Sequence, residues 1–380
     1  MRGVTDSPGI LMTLLAFALV LGPLVFLHEL GHYAAGRIFG VKAEAFSIGF
    51  GREIAGFTDK RGTRWKFGWL PLGGYVRFAG DMNPAGQPDA EWLALPAEER
   101  AKTFQSKPVW QRAIIVAAGP VTNFVIAILI FAGLATLYGV NRTPSIVGVV
   151  APQSPAAAAG LRPGDRIEAM GGRGMATFSD LAEYTMLRPG ETVPVRIERN
   201  GETLTVPVTL ATLRERDRFG NEYRRGQLGI GPGEPVYERV GLLRAPVEGV
   251  RMVGTTLRSM IDGLGQIITG RRPVDELGGP IRIAGIAGQQ LALGPVELVF
   301  FIALISINLG FINLLPIPML DGGHLFFYAV EAVRRRPVGP QVMEWAFRGG
   351  LAVLLALFVF VTFNDLGAVG LWRGLAGLIG

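Results

Sequence analysis

Residues 10–36 read ILMTLLAFALVLGPLVFLHELGHYAAG, an apolar run that ends in His28-Glu29-Leu30-Gly31-His32. No charge interrupts Ile10 to Leu27, and such a stretch rises about 27 Å as a helix, close to the thickness of a bilayer core. Residues four apart share a helix face, so His28 and His32 can address one atom, with Glu29 beside them. This is the H-E-x-x-H pattern, in which two imidazoles hold a zinc ion and the carboxylate is the general base for water. The bland alternative is a pair of histidines capping or hydrogen-bonding an apolar helix. Against it, idle polar groups are costly in hydrocarbon, and the 380 residues contain only three histidines, His28, His32 and His324.

Composition sets the class. Hydrophobic residues make up 49% and charged residues 18% of the chain, which with several long uncharged runs indicates a polytopic α-helical membrane protein. The net charge of +6 comes from scattered arginines without a basic stripe, so no nucleic-acid partner is expected. There is no cysteine, which excludes disulfides, thiolate metal sites and a cysteine nucleophile. Any metal must be held by His, Asp or Glu.

Four spans are expected. The first begins at Ile10. A cleaved signal peptide is the competing reading, but cleavage near Ala34-Ala35-Gly36 would remove both histidines, so the helix is read as retained, with a kink at Pro23. The second span, uncharged from Ala113 to Asn141, carries Gly119-Pro120 and Asn123. The third, Leu298 to Leu320, runs into Asn313-Leu-Leu-Pro316-Ile-Pro318-Met-Leu-Asp321-Gly322-Gly323-His324. That helix should break at membrane depth, where irregular backbone survives only inside protein or along a polar cavity. Gly349 to Asn364 supplies the fourth.

Between the spans, residues 46–78 alternate apolar and polar around Asp59-Lys60-Arg61-Gly62, which predicts a β-hairpin leaning on helices or lipid. Residues 80–108 read as a polar surface loop. From 142 to 212 strand-like runs surround a short helix over Phe178–Leu187, introduced by Ser179 or Asp180. There Gly160-Leu161-Arg162-Pro163-Gly164-Asp165-Arg166-Ile167 resembles the G-L-x-x-G-D-x-I signature of PDZ domains, α+β modules that bind peptide C-termini by strand addition. On that resemblance Gly160, Leu161 and Gly164 belong to the peptide-binding loop. Residues 213–290 are read as linker followed by an amphipathic helix within 237–268. The expected domains are thus 1–141, 142–212, 213–290 and 291–380.

Lys and Arg crowd the segment between spans one and two and the loop at Arg334-Arg335-Arg336. The positive-inside rule puts both loops in the cytoplasm and the long 142–290 segment outside. A catalytic zinc needs a third protein ligand. Asp321 is favoured because it sits at the helix break, with His324 as the alternative ligand or a supporting group.

Taken together, His28-Glu29-Leu30-Gly31-His32, the G-P-x-x-N at 119–123 and the N-L-G-x-x-N-L-L-P-I-P-M-L-D-G-G-H at 308–324 resemble the site-2 protease family of intramembrane zinc proteases, in its bacterial regulator-of-sigma-E protease branch. The resemblance implies one Zn2+ held by His28, His32 and Asp321, with Glu29 catalytic. It also implies that Asn308 and Asn313 position substrate or stabilise the oxyanion, and that the hairpin is membrane-associated and pairs with unwound substrate. It further implies a multi-pass protein of the bacterial inner membrane, with its active site towards the cytoplasm and the PDZ-like domain periplasmic. The substrates would be single-span membrane proteins already trimmed outside, such as anti-sigma factors or signal-peptide remnants. Well-known members carry two tandem PDZ domains, whereas residues 142–212 have room for one. Two rivals from other classes are an inactive PDZ-containing membrane scaffold and a metal transporter. The first expects a decayed metal constellation, the second a polar path through the spans.

Overall fold

The computed structural model describes residues 9–80, 95–216, 222–271, 274 and 278–368. Among them, the helices longer than one turn are α1 (Ile10–Ile38), α2 (Val109–Tyr138), α3 (Phe178–Met186), α4 (Ala245–Ile268), α5 (Pro280–Leu293), α6 (Pro295–Leu314), α7 (Asp321–Arg334) and α8 (Pro340–Ala368). The strands are β1 (Ala43–Thr58), β2 (Arg64–Phe78), β3 (Val140–Asn141), β4 (Val147–Val150), β5 (Arg166–Met170), β6 (Arg173–Gly174), β7 (Thr192–Arg199), β8 (Glu202–Thr209), β9 (Ala211–Arg216), β10 (Glu222–Gln227), β11 (Ile230–Pro232) and β12 (Tyr237–Glu238). The chain divides into two compact units, one of Met1–Phe131, Gly249–Leu257 and Gly278–Phe363, the other of Ala132–Glu248, Arg258–Leu277 and Asn364–Gly380.

In the first unit, α1, α2, α6 and α8 are long and apolar enough to cross a membrane. α1 continues through Pro23. Small side chains let α5 lie against it, with Ala287 in a buried cluster with Ala16, Val20, Leu24 and Leu298. α5 falls in the stretch expected as linker and amphipathic helix. Its buried positions are Gly285, Ala287 and Gly288, too small to write an apolar period into the sequence. The third span is shorter than its apolar run: α6 stops at Leu314, and Leu315 is extended with ψ 141°. The cause is Pro316, which bars its predecessor from helical backbone. The return into α7 needs Gly322 and Gly323, because a Cβ at either would lie 2.3 or 2.4 Å from the Leu315 or Ile317 carbonyl oxygen.

β1 and β2 form a two-stranded antiparallel sheet with repeated register shifts. The Asp59 carboxylate closes the turn, accepting from the backbone N–H of Arg61 and Thr63 at 2.8 and 3.0 Å. The inner end is buried, with Val41, Ala43, Phe46 and Phe78 packed among Tyr33, Phe104, Ile115 and Tyr328. The outer end is exposed and carries Phe50, Ile54, Phe57 and Trp69. Of the expected loop at 80–108, residues 81–94 lie outside the described residues; Phe104 belongs to the core rather than the surface.

The second unit is built on an antiparallel sheet ordered β6-β5-β7-β8. Its core gathers Val147, Leu161, Ile167, Met170, Leu181, Val195 and Ile197. The helix expected near 178 is capped not by Ser179 or Asp180 but by Thr177, two residues before the nearer of them. Its hydroxyl accepts from the Asp180 N–H while Asp180 bonds back to the Thr177 N–H, a capping box that satisfies two otherwise orphaned donors. The part of 213–290 read as linker contains strands among its described residues instead. β9 pairs with β10, β11 with β4, and β12 with β3. Glycines and arginines hid this alternation, since each short strand gains its partner only through pairing.

Candidate metal centre

α1 presents His28 and His32 one turn apart, and the first residue of α7 presents Asp321. Nε2 of His28 lies 3.2 Å from Nε2 of His32. Asp321 Oδ2 lies 3.3 Å from the first and 3.5 Å from the second. Among the described residues, these three form the group placed to hold a metal ion.

Two observations test whether a cation fits. Asp321 Oδ2 is buried, facing only the two imidazole Nε2 atoms at 3.3 and 3.5 Å, a costly arrangement for a carboxylate oxygen unless positive charge faces it. His32 Nδ1 is 2.9 Å from the Ile115 carbonyl oxygen. A carbonyl only accepts, so Nδ1 carries the proton and Nε2 turns a lone pair towards the cluster. Two imidazole nitrogens and one carboxylate oxygen, with open space beside them, match a catalytic zinc donor set.

That space is a cavity of about 360 Å³ lined by His28, Glu29, His32 and Asp321 together with Gly73–Val76, Leu309, Asn313 and His324. Glu29 is outside the donor group but lines the same cavity, as does Val76. His324 also lines the cavity without joining the donors; its ring packs 4.9 Å from that of Phe347. Asn313 lines the cavity and Asn308 is not among the described lining residues.

The loop residues singled out by the PDZ resemblance lie in the second unit. Gly160 and Gly164 have left-handed φ of 73° and 93°, and the Leu161 side chain is buried in the core. Asp165, next to them, is buried against Arg199. Arg199 Nε and Nη2 donate to the two carboxylate oxygens at 2.7 Å each, and the Arg162 N–H donates at 2.8 Å. These donors, Arg199 first, hold the Asp165 pKa below the usual carboxylate range.

Several residues that shape the centre carry no role legible in the sequence. Gly119 on α2 faces it so closely that a Cβ there would sit 2.2 Å from His32 Nε2 and 2.8 Å from His28 Nε2. Asn123, four residues on and so on the same helix face, is fully buried with Nδ2 3.0 Å from His28 Nδ1. Only the four-residue spacing of the G-P-x-x-N motif hinted that both share a face. Arg112 donates to Glu331 at 2.8 Å and stacks 4.9 Å over the Tyr328 ring, tying the start of α2 to α7.

Comparison with known proteins bears on this geometry. The family model described as "Peptidase family M50" matches residues 16–357. A protein of Agrobacterium fabrum named "Putative zinc metalloprotease" is 45% identical over 358 residues, covering 93% of this chain and 95% of its own. One of the same description from Rhizobium meliloti is 44% identical, covering 93% and 96%. Metalloprotease MmpA of Caulobacter vibrioides is 39% identical over 395 residues, covering 97% and 99%.

Proposed function

The chain belongs to peptidase family M50, and from that premise we propose that it is a zinc endopeptidase cutting peptide bonds inside membrane-spanning segments. One observation carries this: the donor atoms of His28, His32 and Asp321 converge beside Glu29 on one cavity, and His28, Glu29 and His32 lie on a helix long and apolar enough to span a bilayer.

His28, His32 and Asp321 would hold the ion. When bound, zinc supplies a Lewis acid that polarises a peptide carbonyl and makes water more acidic. Glu29 takes the proton from the attacking water and delivers it to the leaving amine, as general base and then general acid. The Asn313 amide donates to the oxygen on which negative charge develops, and Asn308 supports the substrate chain further along α6. The backbone of Gly73–Val76 on β2 offers a strand edge to substrate. A helical substrate has its carbonyls bonded internally, so it must unwind before Glu29 and its neighbours can act.

The substrates are single-span membrane proteins that have lost their outer portions, in keeping with regulated intramembrane proteolysis. The β1–β2 outer end, with Phe50, Ile54 and Trp69 exposed, rests in the lipid boundary. The PDZ-like segment 142–212 lies outside the cell membrane and filters substrates by their carboxyl ends or bulk, while the metal centre faces the cytoplasmic side of the bacterial inner membrane.

The test is zinc content of the purified protein together with cleavage of a model transmembrane segment. Wild type should hold one zinc per chain and cut; Glu29→Gln should hold zinc and not cut. Protein that purifies without zinc, or a Glu29→Gln variant that cuts at the wild-type rate, overturns the proposal.

A further inference from the structure

The two histidines of the centre are held in different ways. His32 is fixed by a carbonyl, which leaves it one tautomer. His28 faces a carboxamide, and a carboxamide offers a donor and an acceptor on the same group. With Asn123 Nδ2 towards it at 3.0 Å, His28 Nδ1 is the acceptor, so the ring proton sits on Nε2. That proton then points into the cluster, towards His32 Nε2 and Asp321 Oδ2 at 3.2 and 3.3 Å. In that tautomer His28 has no lone pair to offer a cation.

The other end of the same amide resolves this. Asn123 Oδ1 is buried and has no hydrogen-bond partner. The residue's own carbonyl accepts from Ser306 Oγ at 2.8 Å, and both residues are fully buried, which pins the backbone of α2 at this point. A half-turn about χ2 exchanges Oδ1 and Nδ2 at nearly the same atomic positions. It brings an acceptor to Nδ1 and transfers the ring proton there. Ligating histidines as a rule donate their second ring N–H to an oxygen, which sets tautomer and ring orientation.

Taking the three-ligand centre proposed above as the premise, we infer that Asn123 is a positioning residue of that centre. Its Oδ1 accepts the Nδ1 proton of His28 and holds that ring in the tautomer whose Nε2 binds the metal. Asn123 touches neither substrate nor ion; it acts through His28. The buried side of the centre is therefore built by α2, with the Ile115 carbonyl setting one imidazole and the Asn123 amide the other.

The experiment compares full-length wild type, Asn123→Leu and Asn123→Asp in detergent. Zinc affinity is read by competition with a chromophoric chelator, and thermal unfolding is followed after zinc is stripped. Leucine keeps the volume and removes the acceptor, so zinc affinity should fall about 10–100-fold while the stripped protein unfolds near the wild-type temperature. Aspartate keeps an acceptor oxygen at the same place, so it should hold zinc at least as tightly as wild type. An Asn123→Leu protein with wild-type zinc affinity overturns the inference. If leucine prevents folding, the aspartate variant decides alone, and a tenfold or greater loss of affinity there overturns it equally. Wild type that binds no zinc would instead sink the metal centre itself, a distinguishable result.

Discussion

Gly119→Ala sets two physical effects of opposite sign against each other. In the interior of a helix, replacing glycine by alanine favours the folded state by about 1 kcal/mol. At this position the new methyl would lie 2.2 Å from His32 Nε2, 2.5 Å from its Cε1 and 2.8 Å from His28 Nε2. Ordinary contact begins near 3.4 Å, so the His32 ring must retreat by about 1.2 Å. Zinc–imidazole bonds of about 2.0–2.1 Å tolerate only about 0.2 Å of error, so the ring cannot retreat that far and remain a ligand. A misplacement of this size is worth roughly a hundredfold in function, and zinc affinity should drop by at least that. Gly133, on the same helix, provides the control, because a methyl added there would meet nothing within 4 Å. Chelator competition and thermal unfolding of zinc-stripped protein would be measured on both variants. Gly133→Ala should keep zinc, Gly119→Ala should lose it, and neither stripped protein should be less stable than wild type. A Gly119→Ala protein that retains one zinc and cleaves normally would refute the steric reasoning.

Asp321→Ala should lose zinc while His324→Ala largely retains it; metal analysis giving the reverse would exchange their roles. Breaking the Arg112–Glu331 pair by Glu331→Leu alone should destabilise more than the double change Arg112→Met with Glu331→Leu, because a lone, largely buried guanidinium is worse than none; additive losses in thermal unfolding would deny the coupling. Asp165 has a folded pKa below its unfolded value, so its stabilisation is present at neutral pH and is lost as pH falls through and below the ordinary carboxylate range. Hydrogen exchange of residues 145–210 in Asp165→Asn should therefore exceed wild type at pH 7 and converge with it in strong acid; a difference that persists unchanged there would contradict the linkage. The chain has no cysteine, so single cysteines at Lys60, Glu202 and Arg335 give a clean test of sidedness. Position 202 should react with an impermeant thiol reagent in intact cells and the other two should not, and labelling at 60 would reverse the orientation.

The information legible in the chain alone was local. Uncharged runs marked the four long apolar helices, because leaving charge out of such a length has few other uses. The spacing of His28 and His32 defined one helix face, because a helical period carries two side chains to the same side whatever surrounds them. Pro316 and Pro318 announced the end of α6 through backbone sterics alone. Of Asp321 and His324, three residues apart beyond that break, position at the break favoured Asp321 as partner for the histidines, with His324 the alternative. Tertiary packing put the Asp321 carboxylate against both Nε2 atoms and turned His324 onto Phe347. Gly119 and Asn123 became parts of the centre only when α2 packed against α1, for a glycine's missing methyl and an amide's free oxygen mean nothing until a ring stands opposite. The short strands β9 to β12 and the small-residue helix α5 were hidden for the same reason. Their side chains carry weak local preferences, and what holds them is pairing and close packing with segments distant in the chain.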